Sequence, residues 1–227
     1  AAQCRQRRRR RLLLDVKPTM NTLDLVPHGP VIPVIVLQRV ADAVPLARAL
    51  VAGGVKVLEI TLRTPVALDC MRAIAQQVPE AIVGAGTIRS VADAQASLAA
   101  GCRFGVTPGY RPDIGRACRD IGLPLLPGVA TASEVMQANA DGYRFLKFFP
   151  ATAAGGIPLL KALHGPFPDV VFCPTGGITP ETAPQFLALP NVKVCGGSWL
   201  TPADAVAAKD WGRITALARQ THALRPA

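Results

Sequence analysis

From position 31 onward, short apolar runs alternate with longer segments whose apolar residues recur at helical spacing. The runs occupy 33–37, 57–62, 81–84, 104–107, 125–128, 143–148, 171–174 and 192–195. Most are apolar at successive positions, the pattern of parallel strands covered on both faces. Helical segments lie between them at 41–52, 66–78, 91–100, 112–121, 133–140, 157–163 and 180–187, and a last helix is predicted from 202 through 218. Start signals mark several boundaries. Ser90 with Asp93, Thr131 with Glu134, and Thr201 and Pro202 with Asp204 each set a hydroxyl before a helix and an acid in its first turn. Thr179, Pro180 and Glu181 put a proline at a first helical position. Eight such strand–helix units predict an α/β protein built as a compact (β/α)8 barrel, with an open doubly wound sheet as the alternative. With no internal linker or low-complexity stretch, residues 20–227 are expected to form one barrel domain.

Charge changes the picture only at one end. The net charge is +10 over 227 residues, but residues 1–19 hold seven cations against Asp15, which leaves +4 for the rest. Because the amphipathic pattern starts only after Met20, residues 1–19 are expected to be a disordered basic extension outside the fold. Leu12, Leu13 and Leu14 are too few for the core of a signal peptide. A nucleic-acid-binding arm is the rival reading of the arginine run, but no basic face or aromatic interleaving continues beyond it. No apolar stretch is long enough to span a bilayer. The six cysteines show no CxxC pair and the three histidines lie far apart, so neither a disulfide framework nor a metal site is expected.

Chemistry concentrates at the ends of the strands, where a barrel keeps its reactive groups. In the run 57–62, alternation puts Glu59, Thr61 and Arg63 on one face and Leu58, Ile60 and Leu62 on the other. A structural ion pair between Glu59 and Arg63 is the competing explanation for those charges. In the sixth run, Phe145, Lys147 and Phe149 share a face, and Lys147 alone among six lysines is embedded in aromatic and leucine residues. Burial disfavours a charged amine, and a neutral amine in an apolar pocket attacks ketones to form a Schiff base. Gly176 and Gly177 follow the seventh run, and Gly196, Gly197 and Ser198 end the eighth. Paired glycines at these two strand ends suit an anion, because backbone N–H groups can approach it closely. The stretch Gly84, Ala85, Gly86 and Thr87 adds a hydroxyl at the same mouth, whereas Thr107, Pro108 and Gly109 read as a turn.

These residues match a known pattern. Val-Leu-Glu-Ile-Thr-Leu-Arg-Thr at 57–64, Gly-Ala-Gly-Thr at 84–87, Phe-Leu-Lys-Phe-Phe-Pro-Ala at 145–151, Phe-Cys-Pro-Thr-Gly-Gly-Ile at 172–178 and Gly-Gly-Ser-Trp-Leu at 196–200 resemble the bacterial 2-keto-3-deoxy-6-phosphogluconate (KDPG) aldolases, which also act on 4-hydroxy-2-oxoglutarate (KHG). The resemblance runs from about residue 30 to the C-terminus. It implies a cytoplasmic class I aldolase with no cofactor and no metal, assembled as a homotrimer, cleaving its substrate to pyruvate and glyceraldehyde 3-phosphate. It further implies Lys147 as the Schiff-base lysine and Glu59 as general acid and base. Arg63 and Thr87 would hold the pyruvyl carboxylate, and Phe149 would lie near the pyruvyl methyl group. Thr175, Gly176, Gly177 and Ser198 would line the sugar-phosphate end. A phosphosugar isomerase or synthase on the same scaffold remains the rival enzyme, with Glu59 as base and Lys147 supplying charge alone.

Overall fold

The structure, a computed structural model, describes residues 20–224; the basic extension expected at 1–19 lies outside them. A 3-10 turn at Thr22–His28 opens the fold. Its capping box, in which Asn21 accepts from the Leu23 amide and Asp24 accepts from the Asn21 amide, is a start signal overlooked in the sequence.

Among the described residues nine strands follow: β1 Val31–Ile35, β2 Val57–Thr61, β3 Ile82–Gly86, β4 Phe104–Val106, β5 Leu125–Leu126, β6 Gly128–Val129, β7 Phe145–Phe148, β8 Val171–Pro174 and β9 Cys195–Gly197. Every ladder between them is parallel. A curled six-stranded sheet runs in the order β5-β4-β3-β2-β1-β9, and a three-stranded sheet runs β6-β7-β8. The fifth apolar run was expected to form one strand, yet it gives β5 and β6. Pro127 stands between them, and without an N–H it cannot donate to a ladder. Its carbonyl still accepts from the Lys147 amide at 2.8 Å. The last strand lies later than predicted, at 195–197; only single parallel bridges, Phe172 with Val192 and Thr175 with Gly196, join its segment to that of β8.

Parallel neighbours need crossovers, and helices provide them. They are α1 Ala43–Ala52, α2 Ala67–Gln77, α3 Val91–Ala99, α4 Pro112–Asp120, α5 Ala132–Ala140, α6 Gly156–His164, α7 Ala183–Leu187, α8 Ala203–Ala207 and α9 Trp211–Gln220. The capping boxes of Ser90 and Thr131 form as their sequences require. Two expected starts do not. The helix expected at Pro180 begins at Ala183, and Thr201 makes no cap for α8, whose Asp204 instead pairs with Arg213 at 2.6 Å. The single helix predicted from 202 to 218 is two, because Lys209 takes a left-handed backbone (φ 56) and Asp210 restarts the chain by accepting from the Arg213 amide.

Side chains that alternate along the strands separate into inner and outer layers. Ile32, Val57, Ile82, Phe104, Phe145 and Cys173 belong to one inner cluster shared by both sheets, which Leu25 of the 3-10 turn joins. Leu58 and Ile60 pack outward in the cluster with α1 and α2, and Leu146, Phe148 and Phe172 pack outward in the cluster with α5 and α6. This partition decides where the polar strand residues go. With Val57 facing inward, Glu59 must face inward as well, and Phe145 places Lys147 the same way.

Candidate active site

Glu59 sits mid-strand on β2, paired in register with Val34 of β1 and Gly84 of β3. Lys147 sits on β7, paired with Gly128 of β6 and Cys173 of β8. These strands belong to different sheets, and the curl of the two brings their inner faces together. The Lys147 Nζ donates to Glu59 Oε1 at 3.0 Å, with both residues buried, at 4% and 3% exposure. The charge partner of Glu59 is therefore Lys147; the structural pair imagined between Glu59 and Arg63 does not form. Two charges taken this far from water are costly unless each neutralises the other. At 3.0 Å the pair can also pass a proton directly between amine and carboxylate.

The surroundings of the pair are built for it. A β-carbon on Gly86 would collide with the Glu59 carboxylate, so the glycine in the motif at 84–87 makes room for the acid. Thr61, next on the inward face, donates to the Ile35 carbonyl at 2.9 Å and ties the end of β2 to β1. Phe149 follows β7 half-buried, its ring centroid 5.4 Å from Lys147 Nζ. Cys173 adjoins the pair, a position that sequence reasoning left unassigned. It is the cross-strand neighbour of Lys147, and burial pushes its thiol up to about 12; the Lys147 charge works against that rise and the Glu59 charge adds to it. Its signal in the sequence was its inward register position beside Pro174 and Thr175.

The other expected site residues line the C-terminal edge of the strands. Arg63 does not extend the strand as alternation implied. The ladder ends at Thr61, and Arg63 lies in the following turn, exposed and without a hydrogen bond or ion pair among the described residues. Thr87 follows β3 with φ 62, a left-handed conformation that a β-branched residue adopts only under strain. Thr175 is buried after β8 and bridges to Gly196, where a β-carbon would collide with its hydroxyl. Gly176 and Gly177 continue from it with φ 104 and 75, open only to glycine at low cost. Ser198 is exposed at the end of β9 and lines a cleft of about 660 Å³ between the segments that follow β1 and β9. Among the described residues, no group of three or more His, Cys, Asp or Glu is placed to hold a metal ion, and no helix is long and apolar enough to cross a membrane.

The chain is similar throughout this region to proteins of one kind. It is 52% identical over 192 residues to the KHG/KDPG aldolase of Escherichia coli strain K12, which covers 85% of this chain and 90% of that protein. It is 51% identical over 201 residues to the 2-dehydro-3-deoxy-phosphogluconate aldolase of Pseudoalteromonas atlantica, covering 88% and 94%. Among solved structures, the KDPG aldolase of Legionella pneumophila superposes with a TM-score of 0.85 at 46% identity, covering 87% of this chain and 96% of that one; it holds pyruvate captured as a covalent carbinolamine. The model of the KDPG and KHG aldolases matches residues 24–217, and with relatives this close over nearly their whole length the chain belongs to that aldolase family.

Proposed function

We propose that Lys147 and Glu59 carry out the retro-aldol cleavage of 2-dehydro-3-deoxy-6-phosphogluconate in this chain, by a class I mechanism. The observation that carries the reading is the buried 3.0 Å contact between Nζ and Oε1. Glu59 accepts a proton from the Lys147 ammonium, and the free amine attacks the C2 ketone, forming the N–C2 bond. The same proton, returned by Glu59, converts the carbonyl oxygen to the carbinolamine hydroxyl. The carbinolamine nitrogen then gives a second proton to Glu59, which passes it to that hydroxyl; the hydroxyl leaves as water and the iminium remains. The Glu59 carboxylate then takes the proton of the C4 hydroxyl. The C3–C4 bond breaks, its electrons pass into the iminium, and glyceraldehyde 3-phosphate departs. Protonation of the enamine at C3 and hydrolysis release pyruvate and restore the lysine. In this mechanism the iminium is the electron sink that the cleavage needs.

Arg63 and Thr87 are the proposed holders of the pyruvyl carboxylate. A planar guanidinium matches a carboxylate in two contacts, and an exposed arginine with no protein partner among the described residues is free to make them. Phe149 would flank the pyruvyl methyl group. Thr175, Gly176, Gly177 and Ser198 would receive the phosphate end, and 4-hydroxy-2-oxoglutarate would be a second substrate. The eight-unit (β/α)8 barrel is the finer reading of the fold. It is supported by the inner cluster common to both sheets, by the single-residue break at Pro127 and by the bridges between the segments of β8 and β9. A cytoplasmic homotrimer is the assembly that family membership favours.

Borohydride reduction in the presence of pyruvate tests the mechanism. The expected product is one pyruvyl-derived adduct per chain, mapped to Lys147. An adduct on Lys161 or Lys193, or no adduct, would overturn it.

A further inference from the structure

We infer that Arg39, held by Asp42, is the cationic determinant that makes the enzyme prefer phosphorylated substrates. This inference rests on the reading of Ser198 and the glycine pairs as the phosphate end. That reading leaves a gap in charge. A phosphate monoester carries about −1.5 to −2 at neutral pH, yet Gly176, Gly177 and Ser198 offer only neutral donors. Arg63, another exposed cation at this edge, is assigned to the opposite end of the substrate.

The cleft lined by Ser198 is also lined by Arg39, which follows β1, and among the described residues Arg39 is the one cation there. The arginine is held in place. Its Nε donates to Asp42 Oδ2 at 2.8 Å and its Nη2 to Oδ1 at 3.2 Å, while Nη1 makes no hydrogen bond among the described residues. Asp42 lines the same cleft but is nearly buried, whereas the arginine side chain is 54% exposed, so the pair exposes mainly its guanidinium. The backbone carrying the arginine is anchored too. Thr64 donates to the Leu37 carbonyl at 2.7 Å, and the Cys70 thiol lies 3.9 Å from the Arg39 carbonyl oxygen.

Asp42 stands at the N-cap position of α1, where an aspartate ordinarily accepts from the first helix amides. Here it makes no such bond and gives both oxygens to Arg39. The helix thus goes without this side-chain cap, and the carboxylate fixes an arginine whose own side chain stays half exposed. An arginine held by two bonds to a carboxylate, with one nitrogen left free, is a preorganised anion contact.

The test compares wild type, Arg39→Gln and Arg39→Lys with 2-dehydro-3-deoxy-6-phosphogluconate and with the same keto acid lacking the phosphate. For Arg39→Gln, the ratio of kcat/KM between the two substrates should fall roughly 10- to 100-fold, mainly through KM, as expected for one lost charge-assisted contact. Lysine should restore part of the ratio, because it keeps the charge without the fork. Inorganic phosphate should inhibit the glutamine variant more weakly than wild type. A ratio within about twofold of wild type, with unaltered phosphate inhibition, overturns the inference. Ser198→Ala separates this failure from failure of the underlying reading: if it shifts the ratio while Arg39→Gln does not, Arg39 alone is wrongly assigned. If neither shifts it, the phosphate end lies elsewhere and both assignments fall.

Discussion

Gly86, two residues along β3 from the register partner of Glu59, lies so close to the glutamate that any β-carbon there would collide with the carboxylate. Two strands thereby cooperate in placing one buried carboxylate: β2 supplies the acid and β3 supplies the space. Gly86→Ala should displace the carboxylate from Lys147 without touching either residue. Overpacking of this kind costs about 1–3 kcal/mol of stability, and a misplaced catalytic group can cost about 100-fold in rate. The expected result is a folded variant with kcat reduced by about that factor. Near-normal turnover would show that Glu59 relaxes freely or does not act in the rate-limiting step.

The pairing of Lys147 with Glu59 also has consequences for stability that can be read without any substrate. Removing one member of a buried ion pair leaves the other uncompensated, which typically costs about 3–5 kcal/mol, whereas replacing both is often far less harmful. Glu59→Gln and Lys147→Met should therefore each lower the urea midpoint markedly, and the double variant should be more stable than the sum of the two losses implies. Strict additivity would mean that the two side chains are not coupled. Each single variant should also lose activity; for Glu59→Gln the loss is expected to be about 10²- to 10⁴-fold, the usual contribution of a general acid–base group.

The reach of the sequence is clear from these same residues. Short strands buried on both faces leave the period-two alternation no freedom, so Val57 and Phe145 at inward positions determine the faces of Glu59 and Lys147. The contact between the two, 88 residues apart, depends on how two sheets curl together, and no local pattern encodes that. Alternation misled at Arg63 because the ladder stops at Thr61, and a turn residue is not bound by the pleat. The apolar rhythm from 202 to 218 looked continuous because a left-handed residue at Lys209 changes the backbone path without changing the hydrophobic count. Pro127 was visible in its run, but its missing donor matters only once a neighbouring strand asks for it.

Thr87 carries strain that should be measurable. A non-glycine residue in the left-handed region costs about 1–2 kcal/mol, and a β-branched one is disfavoured further. With φ 62 at the end of β3, Thr87→Gly should raise stability by about 1 kcal/mol while weakening binding of the keto-acid carboxylate. Thr87→Ser keeps the hydroxyl and should retain most of the activity. Denaturant midpoints and the pyruvate dissociation constant of the three proteins decide the matter. A glycine variant that loses both stability and binding would show that the threonine side chain, not the backbone conformation, holds this turn.

The buried thiols give the protein an alkaline limit. Burial pushes Cys102 and Cys173 up to about 12 from an ordinary value of 9.0. A thiol that ionises later in the folded than in the unfolded chain adds stability that is complete below pH 9.0 and is lost as pH rises toward 12. In that window the unfolded chain has released its protons and the folded chain has not, so unfolding becomes favourable by up to about 1.4 kcal/mol per pH unit for each thiol. The urea midpoint should hold level through neutral pH and then decline steeply above about pH 9. Replacing both cysteines by alanine removes these two ionisable groups and leaves small cavities, so the variant should start lower at neutral pH yet decline less steeply. Equal slopes for the two proteins would assign the alkaline loss to other groups, the buried thiols of Cys70, Cys118 and Cys195 first among them, since burial raises them as well.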